Sequence, residues 1–269
     1  MIAFANAKIN IGLQVIRRRE DGYHDLETVF YPIRMHDVVE VIESSETRFF
    51  ASGLAIPHSH AGNLCLRAYE LVRSRVDIPP VDIYLHKVIP VGAGLGGGSS
   101  DAAAVLRVLN DLFAIGLSDS ELMAMARQLG ADCAFFLRNK PVFATGIGDV
   151  FTDVNVNLAG YHLVVVKPDV HIDTAEAYRG VMLRPEGNGL SDAIRLPVAA
   201  WKDRIANDFE GSIFARHPAI GKLKADLYEA GALYAAMSGS GSAVFGIFEK
   251  RAELGQTMDA CQVFYIDSE

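Results

Sequence analysis

The chain has little cysteine and little positive charge. Its three cysteines, Cys65, Cys133 and Cys261, are odd in number and scattered over 269 residues, so neither a disulfide framework nor a zinc knuckle is indicated. A reducing cytoplasm is the simpler setting for such a protein. The formal net charge is −8. Because binding to a polyanion needs a basic surface, nucleic acid is excluded as an expected partner.

Long apolar segments are missing as well. No run of about 20 apolar residues occurs, which argues against a membrane span and a membrane partner. The N-terminus shows no basic leader followed by an apolar stretch. We therefore expect a cytoplasmic protein that is neither exported nor membrane-spanning. Half of the residues are hydrophobic, which is enough to form the core of one large domain or of two smaller ones.

Glycine, by contrast, is concentrated in one segment. Residues 90–104 read PVGAGLGGGSSDAAA. Apolar residues alternate before this segment, over 81–85, as in a half-buried strand, and recur at helical spacing after it. A glycine loop between a strand and a helix lets backbone amides approach an anion along the helix dipole. The pattern predicts a phosphate-binding loop; the alternative is a glycine turn that only lets two elements pack.

The segment fits neither of two common phosphate loops. Gly92, Gly94 and Gly97 match G-x-G-x-x-G, but a dinucleotide fold needs another strand after the helix. A second helix is predicted here instead, with Ser118 and Glu121 in capping-box register. A Walker A loop carries a lysine, and neither the loop nor the predicted helix contains one. The charge of bound phosphates must therefore be neutralised from elsewhere.

The remaining pattern interleaves helices with mostly antiparallel strands and predicts an α+β protein. A change of domain is expected near residue 153. The other predicted elements are strands at 9–15, 26–33 and 163–166, a helix at 63–75, a loop at 183–197, and a strand, glycine turn and strand over 233–248.

With these pieces in place, the chain resembles the GHMP kinase superfamily over nearly its whole length. The glycine loop identifies only the superfamily. An Ala-Lys-Ile-Asn start with Asp-Gly-Tyr-His about 15 residues further on narrows the resemblance to members that phosphorylate cytidine-diphospho-methylerythritol in non-mevalonate isoprenoid biosynthesis. Members usually carry a proline where this chain has Ala134. The motifs are Asn6-Ala7-Lys8-Ile9-Asn10, Asp21-Gly22-Tyr23-His24 with the following Leu26-Glu27-Thr28, Pro90 to Ser100, Leu129-Gly130-Ala131-Asp132 and Ser238-Gly239-Ser240-Gly241.

The resemblance implies a two-domain GHMP kinase fold. Residues 1–152 are expected to form a ribosomal protein S5 domain 2-like ATP-binding domain, and residues 153–269 a ferredoxin-like α/β sandwich on the substrate side. ATP and Mg²⁺ are the implied cofactors. The Mg²⁺ ligands stay unknown, with a hydroxyl of Ser99 or Ser100 favoured over Asp101, since a first-turn acid can simply complement the helix dipole. A monomer or weak homodimer is expected.

Lys8 and Asp132 match the family's catalytic pair. The resemblance implies that Asp132 takes the proton of the tertiary C2 hydroxyl, while Lys8 keeps Asp132 ionised and stabilises the transferred phosphoryl group. The alternatives are a surface lysine for Lys8 and a helix cap for Asp132. The expected nucleotide-binding residues are Asn63, Lys87, Pro90, Val91, Gly92, Ala93, Gly94, Leu95, Gly96, Gly97, Gly98, Ser99 and Ser100. Lys87 has a second interpretation, an exposed lysine at the end of a strand.

The acceptor site needs a place for a cytosine ring. The resemblance implies substrate contacts from Asn10, Tyr23, His24, Thr174 and Tyr178, with aromatic faces stacking on the base; each such stack contributes about 1–3 kcal/mol in nucleic-acid systems.

Two other functions stay open from the sequence. One is a GHMP kinase of the mevalonate or homoserine type, and the other is a nucleotide-binding sensor without transfer activity, which retention of both Lys8 and Asp132 disfavours.

His58 and His60 form a His-x-His pair with no third ligand in register, so no metal is assigned to them.

Overall fold

The computed structural model describes residues 1–56, 62–185, 187, 189–254, 258 and 260–267. His58 and His60 lie outside these residues. The chain divides into two compact units, each built from separate stretches of sequence. The first unit comprises Met1–Ala7, Met35–Val91 and Gly96–Lys140, and the second Lys8–Arg34, Gly92–Leu95 and Pro141–Glu269. The domain boundary near residue 153 stays a prediction.

Runs of strands and runs of helices follow one another along the chain, as expected for an α+β protein. The strands are β1 (Ile2–Arg18), β2 (His24–Glu43), β3 (Arg48–Gly53), β4 (Val81–Lys87), β5 (Val142–Thr145), β6 (Val150–Asp153), β7 (His162–Pro168), β8 (Tyr234–Met237), β9 (Val244–Phe248) and β10 (Cys261–Asp267). The helices are α1 (Leu64–Arg73), α2 (Gly97–Leu112), α3 (Asp119–Leu129), α4 (Ala131–Arg138), α5 (Thr174–Arg179), α6 (Leu190–Ala193), α7 (Phe209–Arg216) and α8 (Pro218–Glu229), with a 3₁₀ helix at Val198–Asp203.

The first unit places β4 between β3, which runs parallel to it, and the second half of β2, which runs antiparallel. In β4, Val81, Ile83 and Leu85 are buried and Tyr84 and His86 are exposed, as the period-two pattern predicted, but Asp82 is buried as well. Helices α1 to α4 pack on one another. The predicted capping box opens α3: the Ser118 side chain accepts from the Glu121 amide, and the Glu121 carboxylate accepts from the Ser118 amide.

In the second unit, β5 pairs with residues 28–30 of β2 and with β6. A separate antiparallel sheet has the order β10-β7-β9-β8, which by chain order is fourth, first, third, second. Helix α8 packs on β8 and β9. Leu13 and Val15 of β1 join apolar residues of β7, β9, α7 and α8 in one buried cluster. The predicted strand, glycine turn and strand over 233–248 is confirmed.

The prediction of a loop throughout 183–197 is wrong at α6. The proline and glycines of this tract suggested irregular structure, but Leu190 and Ala193 bury the same side of one helical turn. Gly189, with φ of +73°, precedes that turn. None of the described helices is both long enough and apolar enough to cross a membrane.

Candidate active site

The glycine loop joins β4 to α2 as predicted, and its second half belongs to the first unit. Gly96 is the N-cap of α2 and has φ of +73°, a conformation that favours glycine. A Cβ on Gly97 would lie 2.8 Å from the Lys87 Nζ. Gly98 is exposed and Ser99 half-buried. The first amides of a helix have no intrahelical acceptor, so this helix start can bind an anion such as a phosphate.

Lys87 lies in a buried ion network beneath this helix start. It is 3% exposed, so the alternative of an exposed strand-end lysine is wrong. Its Nζ donates to Asp37 and, at 2.7 Å, to Asp101. Asp37 also accepts the backbone amides of Val88 and Ile89. The network therefore ties the end of β4 to β2 and to the first turns of α2.

The two aspartates of this network differ in how they are satisfied. Burial raises the pKa of Asp101 to about 7, although Lys87 opposes the shift. Asp101 Oδ1 is buried and has no hydrogen-bond partner among the described residues. Burial alone lowers the pKa of Lys87, but the two carboxylates raise it above its ordinary value. Lys87 therefore holds its proton beside the two carboxylates.

Asn63 and Asp132 stand at two other helix starts of the first unit. Asn63 is the N-cap of α1 and accepts from the Cys65 amide at 2.8 Å. Asp132 lies in the first turn of α4, where Gly130 is the N-cap and no side chain caps the helix. The thiol of Cys133, the next residue, is hydrogen-bonded to Ser99, and burial raises its pKa to about 11. This contact joins the first turns of α4 and α2.

These helix starts also offer the oxygen ligands that Mg²⁺ prefers. The ion commonly keeps several waters and binds one or two carboxylates together with substrate phosphates. The Ser99 hydroxyl and the Asp132 carboxylate fit this chemistry, whereas Asp101 is 2% exposed and engaged by Lys87. No cluster of three His, Cys, Asp or Glu side chains suited to a metal ion occurs in the part of the chain that the structure describes.

Lys8 lies in the second unit beside the first half of the glycine loop. Its backbone amide donates to the Leu95 carbonyl at 3.0 Å. Its Nζ donates to the Gly94 carbonyl at 2.9 Å and to Asn10 Oδ1 at 2.5 Å, and lies 5.1 Å from the centre of the Phe30 ring. At 3% exposure, Lys8 is not a surface lysine. Its ammonium group is held against a peptide of the loop.

A second glycine turn closes a ring of hydrogen bonds around Lys8. The Ser238 hydroxyl donates to the Gly94 carbonyl at 2.9 Å and accepts from the Asn10 amide at 3.3 Å. Gly94 has φ of +78°, and a Cβ there would lie 1.9 Å from the Ser238 carbonyl oxygen. Only glycine at position 94 allows the two turns to approach so closely.

The predicted substrate residues of the second unit have different partners. His24 stacks on Tyr178 with the ring centres 4.5 Å apart and the planes 20° apart, and burial together with Arg18 lowers the pKa of His24. Tyr23 is 62% exposed. Asn10 instead joins Lys8. The Thr174 hydroxyl lies 3.4 Å from that of Ser240.

Comparisons with known proteins decide the family. The family models described as GHMP kinases N terminal domain and GHMP kinases C terminal match residues 63–140 and 193–265. The 4-diphosphocytidyl-2-C-methyl-D-erythritol kinase of Parabacteroides distasonis is 52% identical, covering 93% of this chain and 92% of the relative. That of Bacteroides thetaiotaomicron is 46% identical, covering 98% of each chain. The chain belongs to the 4-diphosphocytidyl-2-C-methyl-D-erythritol kinases, a branch of the GHMP kinases.

Solved structures agree with this family. A crystal structure of 4-(cytidine 5'-diphospho)-2C-methyl-D-erythritol kinase has a TM-score of 0.82 and 31% identity, covering 99% of this chain and 98% of that one. The homoserine kinase from Cytophaga hutchinsonii, at 19% identity and a TM-score of 0.70, shares the fold. The predicted GHMP kinase fold is thereby confirmed. As a GHMP kinase the chain is an ATP-dependent small-molecule kinase.

Sequence reasoning missed three buried residues of this kinase: Thr28, Asp37 and Ser238. Thr28 and Ser238 belong to motifs on which the resemblance rests, but the sequence does not show what their side chains bind. Asp37 lies in the middle of a long strand, where no local pattern distinguishes a paired buried aspartate from a solvated one. The roles of the predicted site residues stay predictions.

Proposed function

We propose that the chain transfers the γ-phosphoryl group of ATP to the C2 hydroxyl of 4-diphosphocytidyl-2-C-methyl-D-erythritol and so forms the 2-phosphate. The observation that carries the proposal is the identity of about half the residues to the P. distasonis enzyme of that name, over almost the whole of both chains. Mevalonate and homoserine kinases among the solved structures share the fold at 12–19% identity. An acceptor of their type is therefore the weaker candidate.

On the nucleotide side, the amides at the start of α2 bind the phosphates, and Asn63 assists at the start of α1. Lys87 supports the loop from below through Asp37 and Asp101. The Ser99 hydroxyl would help to hold Mg²⁺ bound with ATP, and the ion would supply charge that neutralises the phosphates.

Asp132 and Lys8 carry the transfer. A tertiary hydroxyl is too weak an acid to ionise unaided, so Asp132 orients it and accepts its proton as the oxygen attacks. Phosphoryl transfer depends mainly on positioning and charge stabilisation. The Lys8 ammonium, fixed by Asn10 and Gly94, supplies positive charge for the transferred group.

The cytidine half of the acceptor binds at the aromatic residues of the second unit. The stacked His24 and Tyr178 rings form a flat platform for the base, and Tyr23 is exposed enough to cover it. Thr174, which lies in α5 together with Tyr178, offers a hydroxyl to the same substrate. Stacking holds the remote end of the substrate, which positions the crowded C2 hydroxyl for attack.

The cellular setting is part of the same proposal. We assign the enzyme to the cytoplasm, where ATP and a phosphorylated isoprenoid precursor are available, and to a monomeric or weakly dimeric state. Neither nucleic acid nor a membrane is needed for the reaction, which requires only two small-molecule substrates and a metal ion.

The decisive experiment is an ATP-consumption assay with three acceptors: cytidine-diphospho-methylerythritol, mevalonate and homoserine. We expect the first to be preferred by at least about 100-fold in kcat/KM, because buried polar groups left unpaired by a wrong substrate are costly. Phosphorus NMR of the product should show a new phosphomonoester on the methylerythritol unit. Preference for mevalonate or homoserine would refute the assignment, and nucleotide binding without turnover on any acceptor would support the sensor alternative.

A further inference from the structure

Thr28 lies next to the Asn10 side chain, and its hydroxyl donates one hydrogen bond and accepts another. Thr28 has no exposed surface. Its hydroxyl donates to the Gly12 carbonyl at 2.5 Å and accepts from Asn10 Nδ2 at 3.0 Å. Because a hydroxyl has a single proton, and that proton is given to Gly12, Thr28 can only accept from Asn10.

This polarity decides which way the Asn10 carboxamide faces. An asparagine presents a donor at one end of its amide and an acceptor at the other. With Nδ2 held by Thr28, Oδ1 must point to the opposite side, where it accepts from the Lys8 ammonium at 2.5 Å. A rotated amide would leave an NH₂ group facing the ammonium and the Thr28 oxygen without its donor. Both changes are unfavourable for buried groups.

We propose that Thr28 is a positioning residue for Lys8 and acts through Asn10. The proposal rests on the catalytic role proposed for Lys8. Thr28 itself is buried and cannot touch either substrate. By fixing the orientation of the Asn10 side-chain carboxamide, Thr28 holds the Lys8 ammonium where Asn10 Oδ1 and the Gly94 carbonyl both accept hydrogen bonds from it.

Loss of this control should affect transfer more than binding. Without a correctly oriented Asn10, the ammonium keeps its bond to Gly94 but can swing about it. The loop backbone remains fixed by the Ser238 hydroxyl and by the amide of Ala243, which donates to the Ala93 carbonyl at 3.1 Å. Nucleotide binding therefore has support that does not pass through Thr28.

The test compares Thr28→Val, which keeps the shape and removes the hydroxyl, with Thr28→Ser, which keeps the hydroxyl. We expect T28V to lower kcat by about 10- to 100-fold, as loss of a partner that orients a reacting group does, while KM for ATP stays near the parent value. T28S should restore most of kcat. Thr145→Val, on the adjacent strand β5, is the matched control and should leave kcat unchanged. Parent-like kcat in T28V would overturn the proposal.

A double mutant tests whether the effect passes through Asn10. Asn10→Ala should lower kcat, and adding T28V to N10A should cost little more, because residues that act in one chain are not additive. An equal further loss in the N10A background would overturn the proposal. If T28V is not recovered folded, T28S and T28A, which differ by the hydroxyl alone, provide the same comparison, and parent-like kcat in T28A would overturn the proposal in the same way.

Lys8→Met separates this inference from the proposed function. If K8M retains parent kcat, the role of Lys8 itself is wrong, and the positioning role of Thr28 falls with it. If K8M loses activity while T28V keeps it, only the positioning role is wrong. Loss in both, with recovery in T28S, supports both proposals.

Discussion

Asp132 lies in the first turn of α4, whereas Asp101 lies beyond the first turn of α2 and so is not the first-turn acid that the sequence suggested. Their surroundings suit the two carboxylates to different tasks. Asp101 is buried against Lys87, and burial raises its pKa to about 7. Asp132 is half-buried in the first turn of α4, where it can meet a ligand. A charged carboxylate is useful as a base only in the second setting, which is why we assign proton transfer to Asp132.

Replacing Asp132 by asparagine should nearly abolish turnover and leave ATP binding intact. The change removes the proton acceptor and keeps the shape, and loss of a positioned base costs about 10²- to 10⁴-fold in rate. Single-turnover phosphate transfer measures the loss, and calorimetry with a non-hydrolysable ATP analogue measures the binding. Asp119→Asn, at another first-turn acid, is the control. Equal turnover in D132N and D119N would reduce Asp132 to a dipole-complementing residue.

Asp101 should make stability depend on pH in a defined direction. The folded protein keeps its proton to about pH 7, whereas an unburied aspartate ionises near 3.8. Between these values the folded state holds the extra proton, so the unfolding free energy falls as pH rises, by at most about 1.4 kcal/mol per pH unit.

Urea unfolding of the parent and of Asp101→Asn at about pH 4.5 and about pH 7.5, near the two ends of this range, checks the sign of the pH dependence. The parent should lose stability relative to D101N as pH rises. Asp77→Asn, at an exposed site, should show no such trend. A parent that gains stability relative to D101N would mean that Lys87 lowers the pKa of Asp101 more than burial raises it.

At the scale of elements, the start of α2 depends on two adjacent glycines that are not equivalent. A Cβ at Gly97 would meet the Lys87 Nζ at 2.8 Å and an Ile89 methyl at 2.9 Å, whereas at Gly98 the nearest atom is 4.0 Å away. Lys87 is held by two carboxylates, so it cannot move aside at low cost. The first glycine is therefore required by packing, and the second is not.

Gly97→Ala should accordingly lower the unfolding free energy by about 1–3 kcal/mol through overpacking. Gly98→Ala should leave it unchanged or raise it by about 0.5–1 kcal/mol, because alanine is the better helix former. Urea midpoints of the two variants under identical conditions decide the matter. Equal stability of G97A and G98A would show that the Lys87 network yields to a methyl group.

The sequence predicted elements well where one local pattern is enough. Alternation identified β4, helical spacing identified α2 and α3, and Ser118 with Glu121 identified where α3 begins. It failed at α6, because a single buried turn carries too few apolar residues to outweigh nearby proline and glycine. The contacts of Asp37 and Thr28 could not be predicted, since they depend on strands that meet only in the folded chain.

At the scale of the whole molecule, the residues of the glycine loop are divided between the two units. Gly92–Leu95 belong to the second unit and Gly96 onward to the first. The domain boundary near residue 153 stays a prediction beside this division of the chain into units. Sequence patterns report composition along the chain and do not report which distant stretches form one compact body.

The whole acceptor should be needed for efficient transfer. Methylerythritol phosphate without the cytidylyl group should be a very poor acceptor in kcat as well as in KM, because remote binding energy positions the reacting hydroxyl. Tyr178→Ala should impair only the full substrate, and the exposed Tyr265→Ala should impair neither. Steady-state kinetics on both acceptors measures this. Equal kcat/KM for the two acceptors would remove the base-binding role from the aromatic platform.

The hydrogen bond between the Asn10 backbone amide and the Ser238 hydroxyl joins residues 228 positions apart in sequence, and this separation affects folding during synthesis. The ring around Lys8 cannot close until the ribosome has synthesised almost the entire chain. At about 5–20 residues per second, the first strand waits on the order of ten to fifty seconds for its partner. During that time β1, with its many apolar residues, depends on other contacts or on chaperones, and a nascent chain stalled before Ser238 cannot complete the ring.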